Sequence, residues 1–181
     1  AVMLLVDNQT GNIQDVNEAA AQFYGYPRED MQGMHLMQIV SMSAEEFTDT
    51  LYRVNHANLR QFTRRHRLAD GTIRTVEVNT TPIPYGSNFV NFAVIHDITD
   101  RLAAEQEREQ YFRLFTTSTD LMCIADIKRG YFLKINPAGL AILGYSEQEL
   151  LDHPYLDFIH PEDRQRTLDE AKQQIEAGVS L

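Results

Sequence analysis

The feature that most constrains this chain is that it says one thing twice. VNEAAAQFYGY at residues 16–26 returns as INPAGLAILGY at residues 135–145, and the match is wider than those segments. At a fixed offset of 119 positions Met3, Asp7, Gly11, Asn17, Ala19, Gly25 and Tyr26 recur as Met122, Asp126, Gly130, Asn136, Ala138, Gly144 and Tyr145. A constant register over about thirty residues is one structural unit used twice, and its period is too long for a solenoid.

Composition narrows the function classes. The chain has 181 residues, 43% of them hydrophobic and 23% charged, which describes a globular chain of one or two domains. Its net charge of −10 argues against a nucleic-acid partner, because such binding depends on Lys and Arg meeting phosphates. One cysteine, Cys123, forms neither an internal disulfide nor a thiolate cluster, which fits a cytoplasmic location. No run is apolar for long enough to make a membrane helix.

The first copy reads as a short hairpin, residues 2–6 and 12–16, with Asn8 and Gly11 supplying the turn. Asn17 then caps a helix that Gly25 ends in the left-handed conformation. In the second copy Pro137 follows the capping Asn136, where a proline suits the first helical position. PREDM is a short helical turn, its counterpart SEQELL carries the capping box Ser146 and Glu149, and Ser43 with Glu46 forms another before a longer helix striped by Phe47, Leu51, Val54 and Ala57. The period then changes from 3.6 to 2. Residues 61–69, 72–83 and 88–97 make three antiparallel strands, joined by Asp70-Gly71 and by Tyr85-Gly86-Ser87.

These elements predict an α+β unit whose five-stranded antiparallel sheet is covered on one face by short helices, with a pocket between the layers. The hairpin with Asp7 and Gly11, the helix VNEAAAQFYGY, the HRLADG hairpin and the closing VIHDITDRLAAEQE together resemble the PAS domain family. INPAGLAILGYSEQELL and FIHPEDR are similar to the same family's segments. The expected division is one PAS domain over residues 1–97 without its lead helix, a connector helix over 98–118, and the N-terminal half of a second PAS domain over 119–181. The resemblance implies a sensory module in a bacterial signalling protein, upstream of a histidine kinase or a cyclic-dinucleotide enzyme, and usually a homodimer through sheet and connector helix. The alternative is a ligand-free dimerisation scaffold.

The resemblance also implies signal relay by Asp97, Ile98, Thr99, Arg101 and Leu102, where the last strand enters the connector without glycine or proline. Asp97 or Thr99 is placed to cap that helix, and Asp100 adds charge favoured at its N-terminus. Ile98, Leu102, Glu105, Glu109 and Phe112 form a weak two-helix seam with two acidic positions.

Pocket candidates are His56, Arg64, His66 and Asn91. In haem-binding members of the family a histidine on the long helix is the ligand, and His56 is the residue here, although its polar neighbours favour an ordinary surface role. Alternation puts Phe62, Arg64, His66 and Leu68 on the core face, so Arg64 or His66 meets a carboxylate ligand or an internal acid. Asn91 and His96 have opposite parity, and only one faces the pocket. An adduct-forming flavin site needs a cysteine within residues 31–42, and none is present; the methionines there, Met31, Met34, Met37 and Met42, read as core filler rather than metal ligands. The ligand itself stays unassigned.

Catalysis within these residues is not expected. His96 and Asp97 are adjacent on a strand and point to opposite faces, and neither a nucleophile elbow nor a phosphate loop occurs.

Overall fold

The computed structural model describes residues 1–86 and 88–176. Ser87, in the predicted turn, and residues 177–181, at the end of the predicted second domain, lie outside the described residues. Two compact units result, Ala1–Glu105 and Gln106–Leu181.

The first unit opens with β1 (Val2–Asp7) and β2 (Ile13–Val16), an antiparallel pair with a bulge between Leu5 and Val6. Its turn is made by Asp7, whose Oδ1 accepts from Gln9 N at 3.0 Å and from Thr10 N at 2.7 Å, while Gly11 takes φ 76°. The predicted part for Asn8 therefore belongs to Asp7, because a carboxylate one residue earlier reaches two successive amides. Helix α1 (Glu18–Tyr24) starts at Asn17 and ends at the left-handed Gly25. The four-residue α2 (Arg28–Met31), a 3-10 turn at Leu36–Gln38 and α3 (Ala44–His56) follow, the last with the Ser43–Glu46 capping box in place. Ala57, predicted to continue the apolar stripe, is instead the C-cap of α3.

Strands β3 (Gln61–Arg67), β4 (Ile73–Tyr85) and β5 (Asn88–Asp97) complete a five-stranded sheet of order β2-β1-β5-β4-β3 with antiparallel pairing throughout. The chain is thus α+β, as its change of period implies. β3 ends at Arg67 rather than at residue 69 because the Ala69 amide turns away to the Tyr24 carbonyl, 2.8 Å. β4 runs on to Tyr85 despite Pro82 and Pro84. The Thr80 amide points to the β3 side, where it meets the Arg60 carbonyl, so the missing donors two and four residues later face a side on which the ladder with β3 has already ended at Asn79. The outer edge of β3 is covered by the segment around Ile39: Arg67 N donates to Ile39 O at 2.7 Å and Ser41 N to Arg65 O at 2.9 Å. Leu4, Val6, Ile13, Tyr24, Met31, Ile39, Val76, Val78 and Ile95 form the core between sheet and helices.

Helix α4 (Thr99–Thr117) begins two residues after β5. The second unit contains β6 (Cys123–Asp126), β7 (Tyr131–Ile135), α5 (Pro137–Leu143), α6 (Glu147–Asp152), a 3-10 turn at Tyr155–Phe158 and α7 (Arg164–Glu176). Its sheet has two strands among the described residues. No helix among the described residues is long and apolar enough to cross a membrane.

Candidate functional site

Between α3 and the inner face of the first sheet lies a cavity of about 80 Å³. Its walls are apolar, among them Leu4, Val6, Phe47, Leu51, Val54, Phe62 and Ile95, because these residues share the inward parity of their strands or the inward stripe of α3. Five polar side chains also line it: Thr50, Arg64, His66, Thr80 and Asn91.

His66 is 3% exposed, and its Nδ1 lies 2.7 Å from the Tyr24 hydroxyl at the end of α1. Burial, and secondarily the charge of Arg64, hold the imidazole pKa down at about 4, so it is neutral at physiological pH. Burial raises the Tyr24 phenol above its ordinary value, which keeps it protonated. One hydrogen bond thus joins two neutral groups 42 residues apart.

Arg64 donates from Nη2 to Thr50 Oγ1 at 3.0 Å and from Nη1 to the Thr63 carbonyl at 2.9 Å, and its guanidinium carbon stands 5.1 Å from the centre of the Phe62 ring. None of the ion pairs among the described residues includes it. Asn91, 4% exposed, donates from Nδ2 to Asn55 Oδ1 at 3.1 Å, and Asn55 in turn donates to the Asn8 carbonyl. Of the two residues of opposite parity, then, Asn91 faces the cavity and His96 faces solvent.

His56 lies outside the cavity, since the last turn of α3 points it to solvent with its ring 4.9 Å from that of Tyr52. As a haem ligand it is therefore displaced by the helix's own rotation, and the lining offers His66, already engaged by Tyr24, as its sole imidazole. The small volume points the same way, because pockets for drug-sized ligands and cofactors enclose roughly 300–1,000 Å³. Of the methionines, Met31 is fully buried core and Met42 lines the cavity.

The strand-to-helix step is equally specific. Asp97 Oδ1 accepts from Thr99 N at 2.9 Å and from the Thr99 hydroxyl at 2.6 Å. Thr99 Oγ1 accepts from Thr75 N at 2.8 Å, and Ile98 N donates to the Thr75 carbonyl at 3.0 Å, so the end of β5 is stapled to β4 as α4 begins. The two capping candidates thus divide the work: Asp97 serves the helix and Thr99 serves the sheet. Ile98 is buried, Leu102 half-buried and Arg101 exposed. Arg74 on β4 lies 3.7 Å from Asp97 and 3.5 Å from Asp100.

The family profile of the PAS domain matches residues 1–100, and that of the PAS fold matches residues 109–180. The chain belongs to the PAS domain family. Among curated relatives, diguanylate cyclase DgcM of Escherichia coli (strain K12) is 32% identical over 112 residues, covering 60% of this chain and 27% of the cyclase. Sensor protein kinase WalK of Staphylococcus aureus (strain Newman) is 24% identical over 110 residues, covering 60% of this chain and 17% of the kinase. The chain therefore spans about a quarter or less of the length of either relative.

Two solved structures show the same fold. A PAS domain from Desulfitobacterium hafniense superposes with a TM-score of 0.50 at 20% identity, covering 53% of this chain and 91% of that one. An RNA-binding light-oxygen-voltage receptor superposes with a TM-score of 0.51 at 20% identity, covering 62% and 34% respectively. Within this PAS chain, residue pairs that sequence reasoning did not join are Tyr24 with His66, Asn55 with Asn91, and Thr75 with Thr99. Each joins separate elements, and only the inward parity of His66 hinted at any of them.

Proposed function

We propose that these residues form the sensory and relay region of a signalling protein, in which a small molecule occupies the first unit's cavity and its presence is passed through α4 to an output domain such as a cyclase or histidine kinase. The observation that carries this reading is continuity. Asn91, Ala93 and Ile95 on β5 line the cavity, and the same strand enters α4 through Asp97, Ile98 and Thr99 without an intervening loop. A change in cavity filling that shifts β5 against β4 acts directly on the Thr75 staple, and through it on the first turn of α4. Arg101 and Leu102 then carry the change outward on that turn. In this reading the chemistry belongs to the output domain, and these residues supply sensing rather than catalysis.

A second reading, a ligand-free scaffold that dimerises through its sheet and connector, draws support from the outer sheet face. Met3, Leu5, Ile83 and Phe92 line a shallow depression there. An apolar sheet face of this kind is suited to a second copy of the chain.

One experiment separates the two readings. Ala93→Leu puts extra methyl groups into the cavity from β5, while Val94→Ile adds one to the opposite face. The relay reading expects Ala93→Leu to change amide hydrogen exchange over residues 99–105 by about threefold or more, with Val94→Ile leaving it unaltered. Unchanged exchange in both variants overturns the relay and leaves the scaffold.

A further inference from the structure

The polar ends of the first unit's cavity specify what it takes, an inference that rests on the reading of that cavity as a ligand site. Among the described residues only two buried side-chain N or O atoms lack a hydrogen-bond partner in the protein, Arg64 Nε and Asn91 Oδ1, and both residues line this cavity. Chance scatter of unpaired groups would not gather both there, and buried polar groups left without partners are rare enough that each calls for an explanation.

The two atoms are of opposite kind. A guanidinium N–H only donates and an amide oxygen only accepts. The identity of the free Asn91 atom is forced by a backbone carbonyl: the Asn8 oxygen accepts only, so Asn55 turns its amino group towards it, presents Oδ1 to the Asn91 amino group, and leaves the Asn91 oxygen over. Both side chains are held in place from α3, Arg64 by Thr50 and Asn91 by Asn55. Those anchors are five residues apart, roughly 7–8 Å along a helix axis. Leu51 and Val54, which lie between them in the sequence, present apolar surface to the cavity.

Charge sets the number of acids. Arg64 is a cation without a carboxylate partner, whereas His66 is neutral until about pH 4 and adds no second positive charge. The nearby Glu46 is exposed and bound to Ser43 in the capping box of α3; its pKa is lowered first by those bonds and only last by the charge of Arg64. Entry is also provided for. A polar groove of about 320 Å³ on the α3–β3 seam shares Met42, Thr50 and Arg64 with the cavity, so parting the Arg64–Thr50 hydrogen bond joins the two.

We propose that the first unit binds a slender aliphatic monocarboxylate carrying a neutral hydrogen-bond donor at its far end, with the carboxylate on Arg64, the donor on Asn91 and the methylene chain along Leu51 and Val54. A carboxylate on Nε is a charge-assisted hydrogen bond, the stronger of the two contacts.

Isothermal titration of the 181-residue chain with three probes tests this: 6-hydroxyhexanoate, hexanoate, which lacks the donor, and 1,6-hexanediol, which lacks the acid. The first binds tightest, hexanoate about 5–10-fold more weakly and the diol at least about 10-fold more weakly. Arg64→Gln abolishes the advantage of 6-hydroxyhexanoate over the diol, and Asn91→Ala abolishes its advantage over hexanoate. The comparison in the unaltered chain stands even if either variant fails to fold. Binding of either hexanoate or the diol as tight as that of 6-hydroxyhexanoate, or no saturable heat with 6-hydroxyhexanoate up to about 10 mM, overturns the proposal. The response of α4 to Ala93→Leu is independent of any probe, so failure here leaves the sensory reading to stand or fall by itself.

Discussion

In the first unit Asn17 Oδ1 accepts from Ala20 N at 3.0 Å and from Met3 N at 3.1 Å, while its Nδ2 donates to the Ala1 carbonyl at 2.9 Å. In the second unit Asn136 does the same with Gly139 N, Met122 N and the Asp120 carbonyl, each at 2.9 Å. One side chain thus caps a helix and ties it to the first strand, twice. The correspondence continues where residue identity has lapsed. Bulges fall between Leu5 and Val6 and between Ile124 and Ala125. Isolated bridges join Asn12 to His35 and Tyr131 to Pro154, and Met31 and Leu150 are both fully buried. What differs is burial. Leu4 and Val6 are 2% and 3% exposed where β1 has a second partner beside it, β5, whereas their counterparts Cys123 and Ala125 are exposed and half-buried. Local geometry therefore comes from local capping and turn chemistry, whereas the burial of Leu4 and Val6 accompanies the strands that complete the first unit's sheet.

Removing the shared asparagine tests that separation most severely. Asn136→Ala leaves the Gly139 and Met122 amides without partners, whereas after Asn17→Ala the Ala20 amide keeps the residue 17 carbonyl at 3.0 Å and Met3 N alone loses its acceptor; Asn136 is also fully buried and Asn17 half-exposed. The cap alone is worth about 1 kcal/mol and each buried unpaired amide about 1–3 kcal/mol. Asn136→Ala is expected to cost its unit about 3–4 kcal/mol and Asn17→Ala about 2 kcal/mol, read as denaturation midpoints with amide exchange resolved by unit. Equal losses would mean that burial of the cap does not decide its worth.

Acid distinguishes the units next. His66 is buried with a pKa near 4, below its ordinary 6.5, while His153 and His160 in the second unit are exposed. Above pH 6.5 the imidazole is neutral whether the chain is folded or unfolded. Between 6.5 and 4 only the unfolded chain takes up the proton, so first-unit stability falls as pH falls, by about 3 kcal/mol in total. The lowered carboxylates Asp7, Asp15, Glu46, Asp70 and Glu77 lose their contributions at lower pH. His66→Gln should flatten the slope between pH 6.5 and 4 in urea titrations. A slope that survives the substitution assigns it to other groups.

The same division explains what the sequence made legible. The caps Asn17, Ser43 and Ser146, the left-handed Gly25 and Gly144, and the strand count are short-range signals, and the inward parity of Arg64 and His66 follows from period-2 alternation. Asn and Asp share the same turn chemistry, so the sequence points to Asn8 as readily as to Asp7, and it is Asp7 that makes the bonds. His56 is a pocket candidate only through the resemblance, its polar neighbours favour the surface, and the rotation of the final turn after Val54 puts it there. The Thr75–Thr99 staple and the chain from Asn91 through Asn55 to Asn8 are set by sheet register and helix docking, which leave no mark on local periodicity.

The smallest expected effect sharpens the comparison furthest. Gly11 and Gly130 occupy the same turn at φ 76° and 78°, so an alanine meets the same left-handed strain at both, about 1 kcal/mol. At Gly130 an added Cβ has nothing within 4 Å, whereas at Gly11 it would stand 2.5 Å from Phe47 Cζ. Phe47 is a wall of the cavity, so a ring displaced by the added Cβ alters the space that the ligand reading requires. Gly130→Ala should cost about 1 kcal/mol and Gly11→Ala about 2–3 kcal/mol, the difference being overpacking. Thermal denaturation of the two variants checks this. If Gly11→Ala costs no more than its counterpart, Phe47 has moved aside at no expense, the cavity wall is soft, and 6-hydroxyhexanoate should then bind that variant more weakly than the parent chain.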